Sequence, residues 1–304
     1  MTAHSILRTF SRWGRKGDTA MSERETSGQA AVHAQLWQRP WRWLTQAWAD
    51  IDAQAAADRA ADARSAGDAQ RARVLLVVAA TLLALGYSFG DRPFFETYIA
   101  PQLPSTLRNH YGDLLSYTYW AGAKILGYGL LPLLCLKLLG ERVAGYGLRS
   151  STPGLAWHRI YLWLFALILP AVFVVSSTRG FQSTYPFYRQ TGRSIFDFAA
   201  WELQYLSTFV AVEFFFRGYL IFGLRRLLGS LAIFVSMVPY CLIHVLKPPS
   251  EALGSIVAGV LLGTLALRTG SVWCGVLLHV SVALSMDLLA SWHGHHLPTR
   301  LWPY

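Results

Sequence analysis

Seven apolar runs, each near the length that crosses a bilayer, limit what this chain can fold into. They cover roughly residues 74–90, 114–138, 160–178, 197–216, 230–246, 252–268 and 271–291. A hydrocarbon core about 30 Å thick takes about 20 apolar residues as a helix. Every backbone N–H and C=O inside it must be satisfied within the membrane, a condition a helix meets by itself. The expected fold is all-α: a polytopic transmembrane helix bundle of about seven spans, with a polar catalytic-type cavity in the last four.

Charge supports the same class. Only 14% of the 304 residues are charged, against about 25% in soluble domains. Many of the 12 Trp and 14 Tyr lie near run ends, as in an interfacial belt. The net charge is +10, but the basic residues mostly flank the runs, where they set topology and meet anionic lipid. No basic recognition motif is present, so membrane lipid is an expected partner and nucleic acid is not. Cys135, Cys241 and Cys274 fall in apolar segments without paired spacing and read as small core hydrophobes.

The chain divides into three parts. Residues 1–73 read as a cytoplasmic N-terminal tail, basic at Arg8, Arg12, Arg15 and Lys16, with no signal-peptide pattern. Within it, residues 41–73 suit a helix on the membrane surface, anchored by Trp41, Trp43 and Trp48, and the stretch before residue 35 suits disorder. Residues 74–291 form the bundle, and 292–304 a tail containing His293, His295 and His296, read as solvated. Basic residues of the tail and of alternate loops (Arg142, Arg149, Arg225, Arg226, Arg268) place the N-terminus inside and the C-terminus outside. The weight of that orientation comes from the tail.

The run Ala211-Val212-Glu213-Phe214-Phe215-Phe216-Arg217-Gly218-Tyr219 carries two charges one helical turn apart. Charges at membrane depth are costly and usually face the bundle interior, where they mark function. His244 follows four residues after Tyr240, His279 lies deep in the last run, and Asp287 lies two turns beyond it. A carboxylate and two imidazoles on separate helices can activate water, as acid–base groups or around a metal. An arginine at i+4 holds the carboxylate ionised and oriented. Each residue also has a plainer reading: a structural ion pair for Glu213 and Arg217, an interfacial imidazole for His244, a packed aromatic for Tyr240.

Taken together, Glu-x-x-x-Arg-Gly, then aromatic-x-x-x-His, then a last-span His resemble the CPBP family of intramembrane CAAX prenyl endopeptidases and bacteriocin-processing proteins. The resemblance covers roughly residues 197–287 and includes Gly270-Ser271-Val272-Trp273. It implies an intramembrane endopeptidase in a bacterial-type plasma (inner) membrane, acting on a membrane-associated peptide or protein. Glu213, Arg217, His244 and His279 fall on the family's functional positions. Two positions depart: Val212 stands where the family has its first glutamate, and Ala283 where it has an asparagine.

Valine accepts no proton, so three accounts follow. Glu213 activates the water itself, with His244 and His279 assisting; or Glu202, Glu251 or Asp287 supplies the base; or the chain is a non-catalytic membrane protein of the same fold that binds a partner or lipid. A Glu with two His also suits Zn²⁺, although no His-Glu-x-x-His is present. A transporter ranks behind these, since no internal repeat or pair of broken helices is seen.

Overall fold

The computed structural model describes residues 39–61, 65–149 and 157–303. The basic positions Arg8, Arg12, Arg15 and Lys16, and the stretch before residue 35, lie outside them. Two compact units are present, residues 1–50 and 51–304. In the first, residues 39–50 are helical and Trp41 meets Trp48 edge-to-face. In the second, residues 51–61 are helical. Asp52 there caps the turn at Ser230, accepting from its backbone N–H at 2.7 Å.

The bundle is built from α1 (Ser65–Phe89), α2 (Ser105–Leu138), α3 (Trp157–Ser176), α4 (Ile195–Leu228), α5 (Leu231–Leu242), α6 (Pro249–Thr269) and α7 (Trp273–His293). No strand occurs among the described residues. Six of these helices are long and apolar enough to cross a membrane. The seventh apolar run behaves differently. Its helix α5 has 12 residues, a rise of about 18 Å, short of the hydrocarbon core. Pro239 lies in its last turn, and residues 243–247 continue as turns although Val245 and Leu246 are still apolar. The run was long enough by composition; the backbone was not.

Helix α4 is the central element. Its crossing window is the most buried of the six, two-thirds inside the protein. Helix α2 packs on one side of it and α7 on another, α3 lies along α7, and α5 packs against both α6 and the second half of α4. The core follows that arrangement: Phe214, Phe215, Phe216, Tyr219 and Leu220 of α4 sit among Leu75 of α1, Tyr128 and Leu136 of α2 and Tyr240 of α5. Outward faces remain apolar, as at Val77, Leu138, Trp163, Leu167 and Leu203, as a lipid-facing surface requires.

Two details differ from the sequence reading. The C-terminal tail docks on α4: Ile195 and Phe196 donate backbone N–H groups to the carbonyls of Arg300 and Leu301, at 2.8 and 3.1 Å. The first N–H groups of a helix lack internal acceptors, and the tail supplies two. His293 is not solvated; its Nδ1 lies 3.0 Å from the Ser176 hydroxyl of α3, whereas His295 and His296 are exposed.

Candidate active site

Helix α4 changes its winding at the charged pair. It is α-helical through Glu213 and then π-helical over Phe214–Phe222. A π-turn closes at i+5 rather than i+4, and such stretches gather at functional sites. Wider winding brings a residue four positions on closer to directly beneath its predecessor, so Arg217 stands under Glu213. The wide turn also crowds the inside of the helix. A Cβ on Gly218 would lie 2.7 Å from the Phe214 ring and 2.9 Å from the Tyr146 carbonyl. Glycine is what this approach admits.

Glu213 is wholly enclosed, with 0% of its surface exposed. Its Oε1 lies 3.1 Å from Arg217 Nη1 and 3.0 Å from His279 Nδ1 on α7. Its Oε2 has no hydrogen-bond partner and rests against Gly275, where an added Cβ would stand 2.8 Å away. An ion pair and a hydrogen bond converging on one oxygen fix the carboxyl group in direction. An ionised carboxylate accepts only, so His279 donates from Nδ1 and turns Nε2 outward as an acceptor.

The arrangement continues through Arg217. Its guanidinium lies 4.2 Å from the centre of the Tyr240 ring on α5, a cation–π contact within the usual range. His244 lies just past α5, its Nδ1 2.7 Å from the Tyr240 carbonyl and its ring 4.7 Å from the Tyr240 ring. The Phe209 ring lies 4.4 Å from that of His279. The His279 side chain is 18% exposed and, with Tyr240, lines a cavity of about 170 Å³ whose other walls include Leu164, Ile168, Leu278 and Val282.

Of the residues picked out from the sequence, Glu213, Arg217 and His279 are in direct contact. Tyr240 is joined to Arg217, and His244 joins the group only through Tyr240. Val212 is buried in the apolar core around Phe215 and Tyr128, and Ala283 among Trp201, Tyr205, Tyr117 and Leu114. Neither position offers a polar atom.

The three alternative bases are held elsewhere. Asp287 is fully buried and accepts from the Trp201 indole at 2.6 Å, and Glu202 is buried near it. Glu251 accepts from the Tyr185 hydroxyl at 2.6 Å and lies 3.4 Å from Lys247, which donates to the same hydroxyl at 3.2 Å. Burial pushes the Lys247 ammonium below its ordinary range, against the pull of Glu251. A further network was not anticipated: Asp197, with no exposed surface, binds Arg193 at 2.5 Å, the Ser194 hydroxyl at 2.6 Å and the Tyr188 hydroxyl at 2.8 Å. The i, i+4 spacing of Arg193 and Asp197 was the available signal.

Metal ligation does not fit these contacts. Among the described residues no group of three or more His, Cys, Asp or Glu side chains is arranged to hold an ion. Glu213 Oε1 is taken by Arg217 and His279, and the Nδ1 atoms of His244 and His279 are directed at other acceptors.

Residues 195–285 match the family model described as Type II CAAX prenyl endopeptidase Rce1-like. The match runs from the start of α4 into α7 and contains Glu213, Arg217, His244 and His279, in agreement with the resemblance read from the motifs. No curated protein and no solved structure matches the chain. The matched family is one of proteases, and the six apolar helices make this an integral membrane protein.

Proposed function

We propose that this chain is an intramembrane endopeptidase of the CAAX-protease type, in which His279 takes the proton from water and Glu213 orients His279. The 3.0 Å contact between His279 Nδ1 and Glu213 Oε1 carries the reading. A carboxylate on Nδ1 fixes the tautomer that leaves Nε2 free, and it offsets the charge when the imidazole is protonated. Glu213 has no exposed surface, whereas His279 borders the cavity.

The step then runs as follows. His279 Nε2 accepts a proton as water oxygen bonds to the scissile carbonyl carbon. The carbonyl oxygen takes the negative charge. The proton passes from His279 to the departing amide nitrogen as the C–N bond breaks, leaving a free acid and a free amine. Arg217 keeps Glu213 ionised from below. His244, with Nδ1 engaged by the Tyr240 carbonyl, offers Nε2 as a second proton acceptor. No step passes through a metal. The substrate is a peptide or membrane-anchored protein, brought in from lipid beside the cavity, and the N-terminus is cytoplasmic.

The second reading rests on Val212 and Ala283: a membrane protein of this fold that binds a partner or lipid without cleaving it. Cleavage of prenylated and unprenylated candidate peptides by the purified protein in liposomes separates the two. The protease reading expects product from wild type and none from His279→Ala or Glu213→Gln. It fails if both variants cleave as wild type does. If wild type is inert and Val212→Glu alone generates product, the chain is a non-catalytic relative.

A further inference from the structure

At the opposite end of α4 from its start, the molecule holds a second cavity, larger than the one beside His279. Its volume is about 580 Å³, within the usual range of ligand sites. Four arginines line it, Arg71, Arg142, Arg225 and Arg226, with two acids, Asp58 and Glu141. They come from separate parts of the chain: the first turns of α1, the loop after α2, the last turn of α4 and the helical stretch 51–61.

The acids do not exhaust the arginines. Arg71 Nε lies 2.8 Å from Glu141 and its Nη1 3.6 Å from Asp68. Arg226 Nε lies 2.7 Å from Asp68. Arg225 meets Asp58 through one nitrogen at 3.3 Å and stays 40% exposed. Arg142 is exposed, and no ion pair or hydrogen bond of its side chain is found among the described residues. The paired arginines are held in place by their acids, while Arg142 and most of the Arg225 fork face the cavity. A guanidinium has five donors in a fixed fork that matches phosphate oxygens. Tyr146 and Phe222 give the cavity an apolar wall.

Position narrows the ligand. The cavity lies where α2 ends at Leu138 and α4 at Leu228, and where α1 begins. The ends of crossing helices lie at the depth of lipid headgroups, where anionic phosphodiesters are concentrated. We infer that this cavity binds a phosphate group, gripped by Arg142 and Arg225, with Arg71 and Arg226 as its rear wall. Two sources share that chemistry: the phosphodiester of an anionic phospholipid, and a soluble phosphoester.

The test uses the full chain in a neutral detergent, with melting followed on adding phosphatidylglycerol, phosphatidylcholine, inorganic phosphate or pyrophosphate. At a hundredfold excess over Kd a bound ligand raises Tm by roughly 5 to 10 °C for a chain of this size. Arg142→Gln and Arg225→Gln should each weaken binding about tenfold or more. Arg108→Gln, one turn into the far end of α2, should leave it unchanged. A rise with phosphatidylglycerol alone assigns the site to a lipid headgroup; a rise with pyrophosphate or phosphate alone assigns it to a soluble phosphoester. No rise with any probe overturns the inference, as does a rise that Arg108→Gln reduces as much as Arg142→Gln does. If Arg225→Gln fails to fold, Arg142→Gln decides, because that side chain has no partner to lose among the described residues.

Discussion

Helices α4 and α7 bring carboxyl groups together at two levels, and the two levels are built on opposite principles. At the first, Glu213 is clasped by Arg217 and His279. At the second, about three turns nearer the start of α4, Glu202 and Asp287 are buried near each other, and Asp287 accepts from the Trp201 indole. Both are buried. A carboxyl group whose one oxygen is approached by a guanidinium and an imidazole N–H is held in direction, which suits it to steering that imidazole. On the proposed mechanism, the same residue type on the same helix serves chemistry at one level and only packing at the other.

The comparison breaks most sharply at His279. His279→Ala should lower kcat/KM for peptide cleavage by about 10²–10⁴-fold, the usual worth of a general base, with a stability loss of about 1–3 kcal/mol from the lost Glu213 partner. An unchanged rate would remove His279 from the chemistry. Arg217→Met is next. It leaves Glu213 buried with one nitrogen partner fewer, and loss of one member of a buried pair costs about 3–5 kcal/mol. Thermal melts in detergent should show that loss, and a melt within a degree of wild type would mean that the pair is slack.

Gly275→Ala sharpens the contrast without touching a charged group. The new methyl would press on Glu213 Oε2 from 2.8 Å. Displacing an orienting group by about 1 Å can cost about 100-fold in rate, so kcat should fall while the fold survives. Wild-type kcat in this variant would show that Glu213 does not steer His279. Glu202→Gln should have the smallest effect: it keeps the side chain's size, and no hydrogen bond of the Glu202 carboxyl is found among the described residues, so stability should shift by less than about 1 kcal/mol and cleavage should persist. If Glu202→Gln abolishes cleavage as fully as His279→Ala, the two levels are not separate. A chelator should leave the rate untouched throughout.

Much of this was legible beforehand, for identifiable reasons. Apolar run length marked six helices, because the bilayer imposes one dimension on all of them. It mismarked α5, where Pro239 and the turns after Leu242 end the helix inside a run that stays apolar. The one-turn spacing of Glu213 and Arg217 announced their contact. His279 was legible as a candidate by its depth. That it would grip Glu213 was not, since contacts between helices depend on rotation and register, which spacing along one chain does not carry. For the same reason Glu202 and Asp287 were read as separate spare bases, with no sign that they would lie near each other. The docking of Arg300 and Leu301 on the start of α4 had no sequence signature at all, being made of backbone atoms.

The wide winding of Phe214–Phe222 also acts as a phase setting. A helix that changes its residues per turn partway along carries two faces that agree only because of how many residues the wide stretch contains. Remove one residue between Phe215 and Phe222, and the register of everything beyond it changes relative to Glu213. Arg225 and Arg226 would then swing away from the cavity they line, while the first half of α4 kept its place. The residue count of this short stretch, more than any single side chain in it, keeps the two ends of α4 in step.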